Sequence, residues 1–383
     1  MITFNKPYLT GKETQYISQA VYREMKISGN GLFTRKCQEF FQERYGFRKC
    51  LLTSSCTDAL EMAALLCDIQ PGDEVIMPSY TFASTANAFI LRGARIVFAD
   101  SRSDHPGMNE ESIKGLITPR TKVIVPVHYA GVACDMDIIM AIAEKHNLFV
   151  VEDAAQAIDS FFTGNDGVRK PLGSIGHFGC FSFHETKNIQ CGEGGMLVIN
   201  DERFFKRAEI IWEKGTNRAE FSRGEVNKYG WIDIGSSFLP SEITAAFLWA
   251  QVEALATIQL NRKCIWQNYY QSLSSLLEEG YYKLPKIPEY ATNNAHLFYL
   301  ICKSIEERSN LIEHLKRNGI MAIFHYLSLH NSPYFLNKHD GRPLPNSERF
   351  SECLLRLPLY YELGNDLIDY IVTNIKLHYQ YSD

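Results

Sequence analysis

Short apolar runs alternate with longer amphipathic stretches through the first two hundred residues, and this alternation predicts the architecture. In NLFVVEDAAQ (147–156), Leu148 to Val151 are apolar without a period-two break, as in a parallel strand covered on both faces. Val75 to Met77, Ala94 to Asp100, Val123 to His128 and the run Cys180, Phe181, Phe183 read the same way. Leu60, Ala63, Ala64 and Cys67 recur at helical spacing between the strands. Strand, helix, strand repeated over residues 50–200 predicts a mostly parallel sheet with helices on both faces. Two helices precede it, one marked by Tyr16, Ile17, Ala20, Val21 and Met25, the other by Phe40, Phe41 and Tyr45, with a turn at Ser28-Gly29-Asn30-Gly31 between them. After Pro240-Ser241-Glu242, the positions Ile243, Ala246, Phe247, Ala250 and Ala254 keep helical period in a helix expected to bridge two units. The rhythm then changes to an α+β pattern: a strand at Leu297 to Cys302, a helix at Leu311 to Leu315 and a strand at Met321 to Tyr326.

At 383 residues the chain exceeds what one hydrophobic core usually organises, so two domains are expected. A net charge of −5 offers no broad basic surface for nucleic acid. No stretch reaches the roughly 18 apolar residues of a membrane span, and Met1-Ile2-Thr3-Phe4 lacks the layout of a signal peptide. A soluble intracellular protein without a membrane partner is the expectation. Ten cysteines are scattered through apolar segments with none at CxxC spacing, which fits buried thiols in a reducing compartment and no metal site. Gly29-Asn30-Gly31 lacks the third glycine of a dinucleotide fingerprint, and there is no GxSxG elbow.

The candidate chemistry centres on CFSFHETKNIQCGEGG (180–195), where a strand ends in a polar turn carrying Lys187. At its ordinary pKa of about 10.4 a lysine is protonated and inert toward carbonyls, whereas burial or a cationic neighbour frees the amine. Taken alone, Lys187 reads as a solvated turn residue and Asp153 as a helix cap. Taken together, Asp153 and Gln156 at the end of one strand and Lys187 after another could serve pyridoxal phosphate, which needs a lysine for its aldehyde, a carboxylate for its ring nitrogen and a donor for its hydroxyl. Thr53-Ser54-Ser55-Cys56-Thr57-Asp58 ahead of a helix supplies hydroxyls and unpaired N–H groups, an anion seat suited to a phosphate. Lys214 and Arg218 in KGTNR either neutralise a nucleotide diphosphate or belong to a solvated surface.

DAAQ (153–156), SFHETKN (182–188) and GEGG (192–195) resemble the motifs of the DegT/DnrJ/EryC1/StrS-type nucleotide-sugar aminotransferases, and the likeness runs from the first ten residues to LRLPLY (355–360). Within that family, SCTDALEMAALLCDIQPGDEVIMPSYTF, VPVHYAGVACDMD and EKGTNR look most like the branch that aminates TDP-4-keto-6-deoxyglucose at C4 to make TDP-4-amino-4,6-dideoxygalactose for surface polysaccharide. The resemblance implies an α/β, aspartate-aminotransferase-like (fold type I) transferase. Residues 1–245 would form a large domain with an N-terminal arm and a mostly parallel seven-stranded sheet, and residues 246–383 a smaller α+β domain. It implies pyridoxal 5'-phosphate on Lys187, Asp153 at the ring nitrogen, Gln156 at the ring hydroxyl, Phe82 stacked on the ring, and Cys56, Thr57 and Ser182 as further cofactor contacts. L-Glutamate is the implied donor and a nucleotide-linked 4-keto-6-deoxy sugar the acceptor, touched by Ser28, Gly29, Lys214, Arg218, His325 and Tyr326. A homodimer is implied too, Ser237 reaching the cofactor phosphate of the neighbouring subunit. Two positions depart from the family pattern. Relatives often carry Gly-Thr where Cys56-Thr57 stands, though a backbone N–H contact survives that change, and many carry asparagine where Ser237 stands, which still donates one hydrogen bond. Related dehydratases have histidine at the lysine position, so Lys187 argues against that branch. Amination at C3 or of another nucleotide sugar, and a non-catalytic nucleotide-sugar-binding relative, are the alternatives.

Overall fold

Strands β1 (Lys49–Thr53), β2 (Glu74–Pro78), β3 (Arg95–Ala99), β4 (Thr121–Ile124), β5 (Phe149–Asp153), β6 (Phe161–Thr163), β7 (Arg169–Pro171), β8 (Phe178–Ser182) and β9 (Gly195–Ile199) follow one another in a computed structural model that describes residues 1–275 and 280–380. Residues 276–279 and 381–383 of the expected second domain lie outside the described ones. Apart from the β6–β7 hairpin, these strands form one seven-stranded sheet in the order β1-β9-β8-β5-β4-β2-β3. β8, β5, β4, β2 and β3 pair in parallel, whereas β9 is antiparallel to both β1 and β8.

The unbroken apolar runs have their expected cause. Leu52, Ile76, Ile124, Val150, Phe181 and Met196 point into a core shared with helices Leu32–Tyr45, Met136–His146 and Glu242–Glu253. Their neighbours Leu51, Val75, Val123, Val151, Cys180 and Leu197 point into a second core with helices Cys56–Leu66 and Phe205–Trp212. Period-two alternation therefore feeds two buried faces. The expected strand at Val123 to His128 starts earlier, at Thr121; its regular ladder ends at Ile124, before Pro126, which has no N–H to give, and pairing with β5 continues as a single bridge between Val127 and Asp153. The first helix, Glu13–Ser18, continues as a wider turn over Gln19–Arg23.

A smaller antiparallel sheet is made by β10 (Tyr282–Lys283), β11 (Phe298–Cys302), β12 (Ile323–Phe324) and β13 (Leu354–Leu357), in the order β10-β11-β13-β12. The expected strand at Met321 to Tyr326 is thus reduced to two residues. The helix beginning at Glu242 ends at Glu253, and Leu255–Ser274 departs from it at 61°. This second helix does the bridging: Leu255 and Ile258 pack in the first core, Ile265, Tyr269 and Leu273 in that of the smaller sheet.

Strand β9 was not apparent from its glycine-rich start. A Cβ on Gly195 would lie 2.3 Å from the carbonyl carbon of Ser55, so the missing side chain lets β9 abut the turn that starts helix Cys56–Leu66. Ser55 Oγ caps that helix by accepting the Asp58 N–H at 3.0 Å. Gly195→Ala is therefore expected to push the helix start aside, at a cost of about 1–3 kcal/mol, seen as a lower denaturation midpoint with an unchanged m-value; an unaltered midpoint would show that the contact is soft.

Candidate active site

The carboxyl ends of β1, β2, β4, β5 and β8 open onto one side of the sheet, where an open α/β fold places its ligands. There a cavity of about 470 Å³ is lined from the large sheet by Cys56, Thr57, Phe82, Thr85, His128, Asp153, Gln156, Ser182 and Lys187. Across from them stand His296, His325, Tyr326 and Arg356 of the smaller unit, with Phe4 of the N-terminal segment. Nine of the sequence candidates thus share one space of the size that holds a small cofactor and substrate.

Lys187 reaches the cavity from a turn closed on both sides. Its N–H donates to His184 O at 2.9 Å, while Phe183 N–H and Glu185 N–H donate to Gly194 O and Gly192 O at 2.8 and 2.9 Å. The next residue, Asn188, is buried and anchors the turn to the smaller unit, donating to Gln259 Oε1 at 2.7 Å and Asn294 O at 2.9 Å and accepting from His296 Nδ1 at 2.9 Å. The Lys187 ammonium is partly buried and has no acceptor or ion-pair partner among the described residues. Burial pushes its pKa down to about 8, and Arg356 works in the same direction against Cys56 and Asp153. Roughly a tenth of such amines are free at pH 7.

Asp153 is buried, with Oδ2 accepting the Thr85 hydroxyl at 2.7 Å and Oδ1 the Ala155 N–H at 3.1 Å. Burial raises its pKa, while those two donors and Lys187 oppose the shift. Gln156 accepts the Ala130 N–H at 2.7 Å through Oε1, which turns its Nε2 toward the Tyr326 hydroxyl at 3.1 Å. Phe82 is 58% exposed and its ring lies 5.9 Å from that of Tyr326, so it is no core phenylalanine. The N–H groups of Cys56 and Thr57 have no acceptor among the described residues, and the Thr57 hydroxyl donates to Ser84 Oγ at 2.9 Å. An unpaired helix start, an unpartnered amine and a buried carboxylate around one cavity fit a phosphorylated pyridine aldehyde.

Five candidates lie elsewhere. Ser28, Gly29, Lys214, Arg218 and Ser237 do not line the cavity. Ser28, Lys214, Arg218 and Ser237 are exposed, and the segments bearing all five adjoin one another. Asn30 Nδ2 donates to Glu213 Oε1 at 3.2 Å, Lys214 N–H donates to Ser236 O at 3.0 Å, and a Cβ on Gly29 would meet Pro240 O at 2.3 Å. The turn before helix Leu32–Tyr45 is fixed by buried Glu242, which accepts the N–H groups of Gly31, Phe33 and Thr34 at 2.8, 2.8 and 3.1 Å. Sequence reasoning missed Phe4, Thr85, His296 and Arg356 as cavity residues. Only Arg356 left a trace, as a lone charge inside the apolar run LLRLP.

Because the folded protein binds the Lys187 proton less tightly than the unfolded chain, whose value is near 10.5, stability from this group rises as pH climbs from about 8 to 10.5. Wild-type cofactor-free protein should therefore gain on Lys187→Met by up to roughly 3 kcal/mol over that interval, measured by denaturant unfolding at each pH; a constant difference would contradict the assigned environment.

Residues 7–376 match the DegT/DnrJ/EryC1/StrS aminotransferase family. The spore coat polysaccharide biosynthesis protein SpsC of Bacillus subtilis is 30% identical over 98% of this chain and 96% of its own length. Among solved structures, Spr1654 of Streptococcus pneumoniae in its PMP form is 25% identical with a TM-score of 0.90 and full coverage of both chains; its PLP form gives 0.89. The aminotransferase TlmJ of Streptoalloteichus hindustanus is 26% identical, also with a TM-score of 0.90 over the whole of both chains. With that breadth of match and this cavity, the chain belongs to the DegT/DnrJ/EryC1/StrS family and is a pyridoxal-phosphate-dependent aminotransferase of fold type I.

Proposed function

We propose that the enzyme transfers the amino group of L-glutamate to C4 of TDP-4-keto-6-deoxy-D-glucose, giving TDP-4-amino-4,6-dideoxy-D-galactose and 2-oxoglutarate, for a surface polysaccharide such as enterobacterial common antigen or an O-antigen. The observation that carries the chemistry is the cavity in which Lys187 and Asp153 meet. The substrate rests on the likeness of residues 55–82, 125–137 and 213–218 to the TDP-sugar branch. The polysaccharide role is supported by the name of SpsC.

Bound in this cavity, pyridoxal phosphate supplies a reactive aldehyde and a ring that accepts electrons. Asp153 keeps the ring nitrogen protonated, its two existing donors fixing the carboxylate in place. Cys56 and Thr57 N–H groups hold the phosphate, Ser182 adds a contact, Gln156 faces the ring hydroxyl and Phe82 covers the ring. Lys187 removes the proton from Cα of glutamate and delivers one to C4 of the sugar. A pKa near 8 suits both tasks, since an amine poised near ambient pH takes and returns a proton readily. His325 and Tyr326 face the sugar.

The reading includes a cytoplasmic homodimer with its active sites at the subunit interface. Ser28, Gly29, Lys214 and Arg218 then contact the nucleotide sugar, and Ser237 reaches the cofactor phosphate of the other copy. In support, Tyr22, Met25 and Trp231 are 80%, 82% and 84% exposed on or beside the segments that carry these residues. Side chains of this kind are commonly covered by a partner.

Incubation with TDP-4-keto-6-deoxyglucose and L-glutamate, followed by NMR, tests the assignment. The expected product bears the amine on C4 with the small H3–H4 coupling of an axial substituent. An amine on C3, a gluco configuration or an unchanged sugar would overturn it.

A further inference from the structure

Asn188 and His296 form a buried pair at Lys187 that leaves one polar atom unused. Asn188 is the residue after the lysine; His296, two residues before β11, is 4% exposed and lines the cavity that Lys187 enters. Both hydrogens of Asn188 Nδ2 are taken, by Gln259 Oε1 at 2.7 Å and Asn294 O at 2.9 Å, so its Oδ1 is turned toward His296 as an acceptor. It accepts from His296 Nδ1 at 2.9 Å, which puts the ring proton on Nδ1 and leaves Nε2 a bare lone pair. That lone pair meets no donor among the described residues. Burial, helped by Lys187, Arg356, Arg262 and His325, holds the His296 pKa well below the ordinary imidazole range, so the ring is neutral at pH 7.

An acceptor without a donor and an amine without an acceptor border the same cavity, and each is what the other lacks. We infer that His296 Nε2 accepts a hydrogen bond from the Lys187 amine whenever that amine is not joined to the cofactor. The inference rests on the role proposed for Lys187 and adds a positioning residue to it. The need arises from the proton. On taking one from Cα of the donor, Lys187 becomes an ammonium with three N–H groups, held partly out of water. The acceptors around it are already engaged: Asp153 by Thr85 and Ala155, and Gln156 Oε1 by Ala130. A bond to His296 steadies the ammonium until the proton leaves for C4 of the sugar; the proton stays on the lysine nitrogen and none passes to the ring. A neutral lone pair suits this task better than a carboxylate, whose charge would hold the proton back. Because Asn188 follows Lys187 directly, the residue that sets the ring's tautomer and the residue the ring serves share one turn.

The test is trace acetylation of Lys187 by acetic anhydride from about pH 6 to 10, read by peptide mass spectrometry. The enzyme is loaded with pyridoxamine phosphate, which leaves the lysine unattached, and no sugar is present. His296→Asn keeps a donor for Asn188 but stops short of Nε2, whereas His296→Gln sets an amide oxygen near that place. Cys56, Asp153, Arg262, His325 and Arg356, the other groups that face the pair, are unchanged in both. His296→Asn is expected to lower the Lys187 titration midpoint by about one pH unit, since the ammonium loses its acceptor, and His296→Gln to leave it within about 0.3 unit of wild type. Should the variants not fold, nitrogen NMR of histidine-labelled wild type and Lys187→Met, both in the pyridoxamine form, reads the same contact: the His296 Nε2 signal is expected to move when the amine is removed. An unmoved midpoint in His296→Asn, an equal fall in His296→Gln, an Nε2 signal indifferent to Lys187→Met, or a sugar hydroxyl serving as the donor with Lys187 unaffected would each overturn the contact. The role of Lys187 is read separately, from borohydride labelling of the pyridoxal form. A label on another lysine removes the reading beneath the inference; a labelled Lys187 with an unmoved midpoint removes the His296 contact alone.

Discussion

The active site depends on one arrangement: a lysine amine held partly out of water with no counter-ion in hydrogen-bonding reach among the described residues. Had Asp153 paired directly with Lys187, the ion pair would have favoured the ammonium and raised its pKa. Thr85 and Ala155 instead engage both oxygens of Asp153, which stays on the same cavity without a direct contact to Lys187. Arg356, a second unpaired cation on the same cavity, pushes Lys187 further toward the free amine. The sheet, the glycine-bounded turn and the smaller unit can each be understood by what they contribute to that balance.

Two successive acids show how finely the strand divides labour. Residues alternate sides along β5, so Asp153 meets the cavity while Glu152 turns the other way and is wholly buried. Glu152 accepts from Gly173, Ile175 and Gly176 N–H at 2.7, 2.7 and 2.6 Å, and from His128 Nε2 at 2.9 Å. Because Cys134 N–H donates to His128 Nδ1 at 3.3 Å, the ring carries its proton on Nε2. Glu152 therefore locks the loop before β8 and His128, in the segment after β4, into one frame, and that frame sets where Asp153 and Ser182 emerge.

Most of the large sheet was legible because its strands are buried on two faces, which gives apolar runs with few other interpretations. The cavity residues Asp153, Gln156, Ser182 and Lys187 were legible for a different reason: DAAQ and SFHETKN are local strings whose spacing reflects one strand end each. The far wall was not. Phe4 lies roughly three hundred residues or more from His296 and Arg356 along the chain, brought to them by the bend at Ala254 and by the hydrogen bonds of Ile2 to Gly319 and Met321, and no short-range period records such a meeting. Strand β9 was hidden because Gly195 is there for closeness to Ser55, and glycine ordinarily signals a break. The patch around Ser28, Lys214 and Ser237 was expected from likeness and, at Lys214 and Arg218, from charge; Glu242 and Pro240 hold its turn against the start of the helix beginning at Glu242, and none of its residues lines the cavity.

The account's central claim is that the Lys187 amine, and no other, is the one that meets the cofactor's aldehyde. Borohydride reduction of the pyridoxal-phosphate-loaded protein, followed by peptide mapping, tests it directly. The phosphopyridoxyl group is predicted on the peptide containing Lys187 and nowhere else. A label on any other lysine, or none at all on a protein that has retained its cofactor, would contradict it.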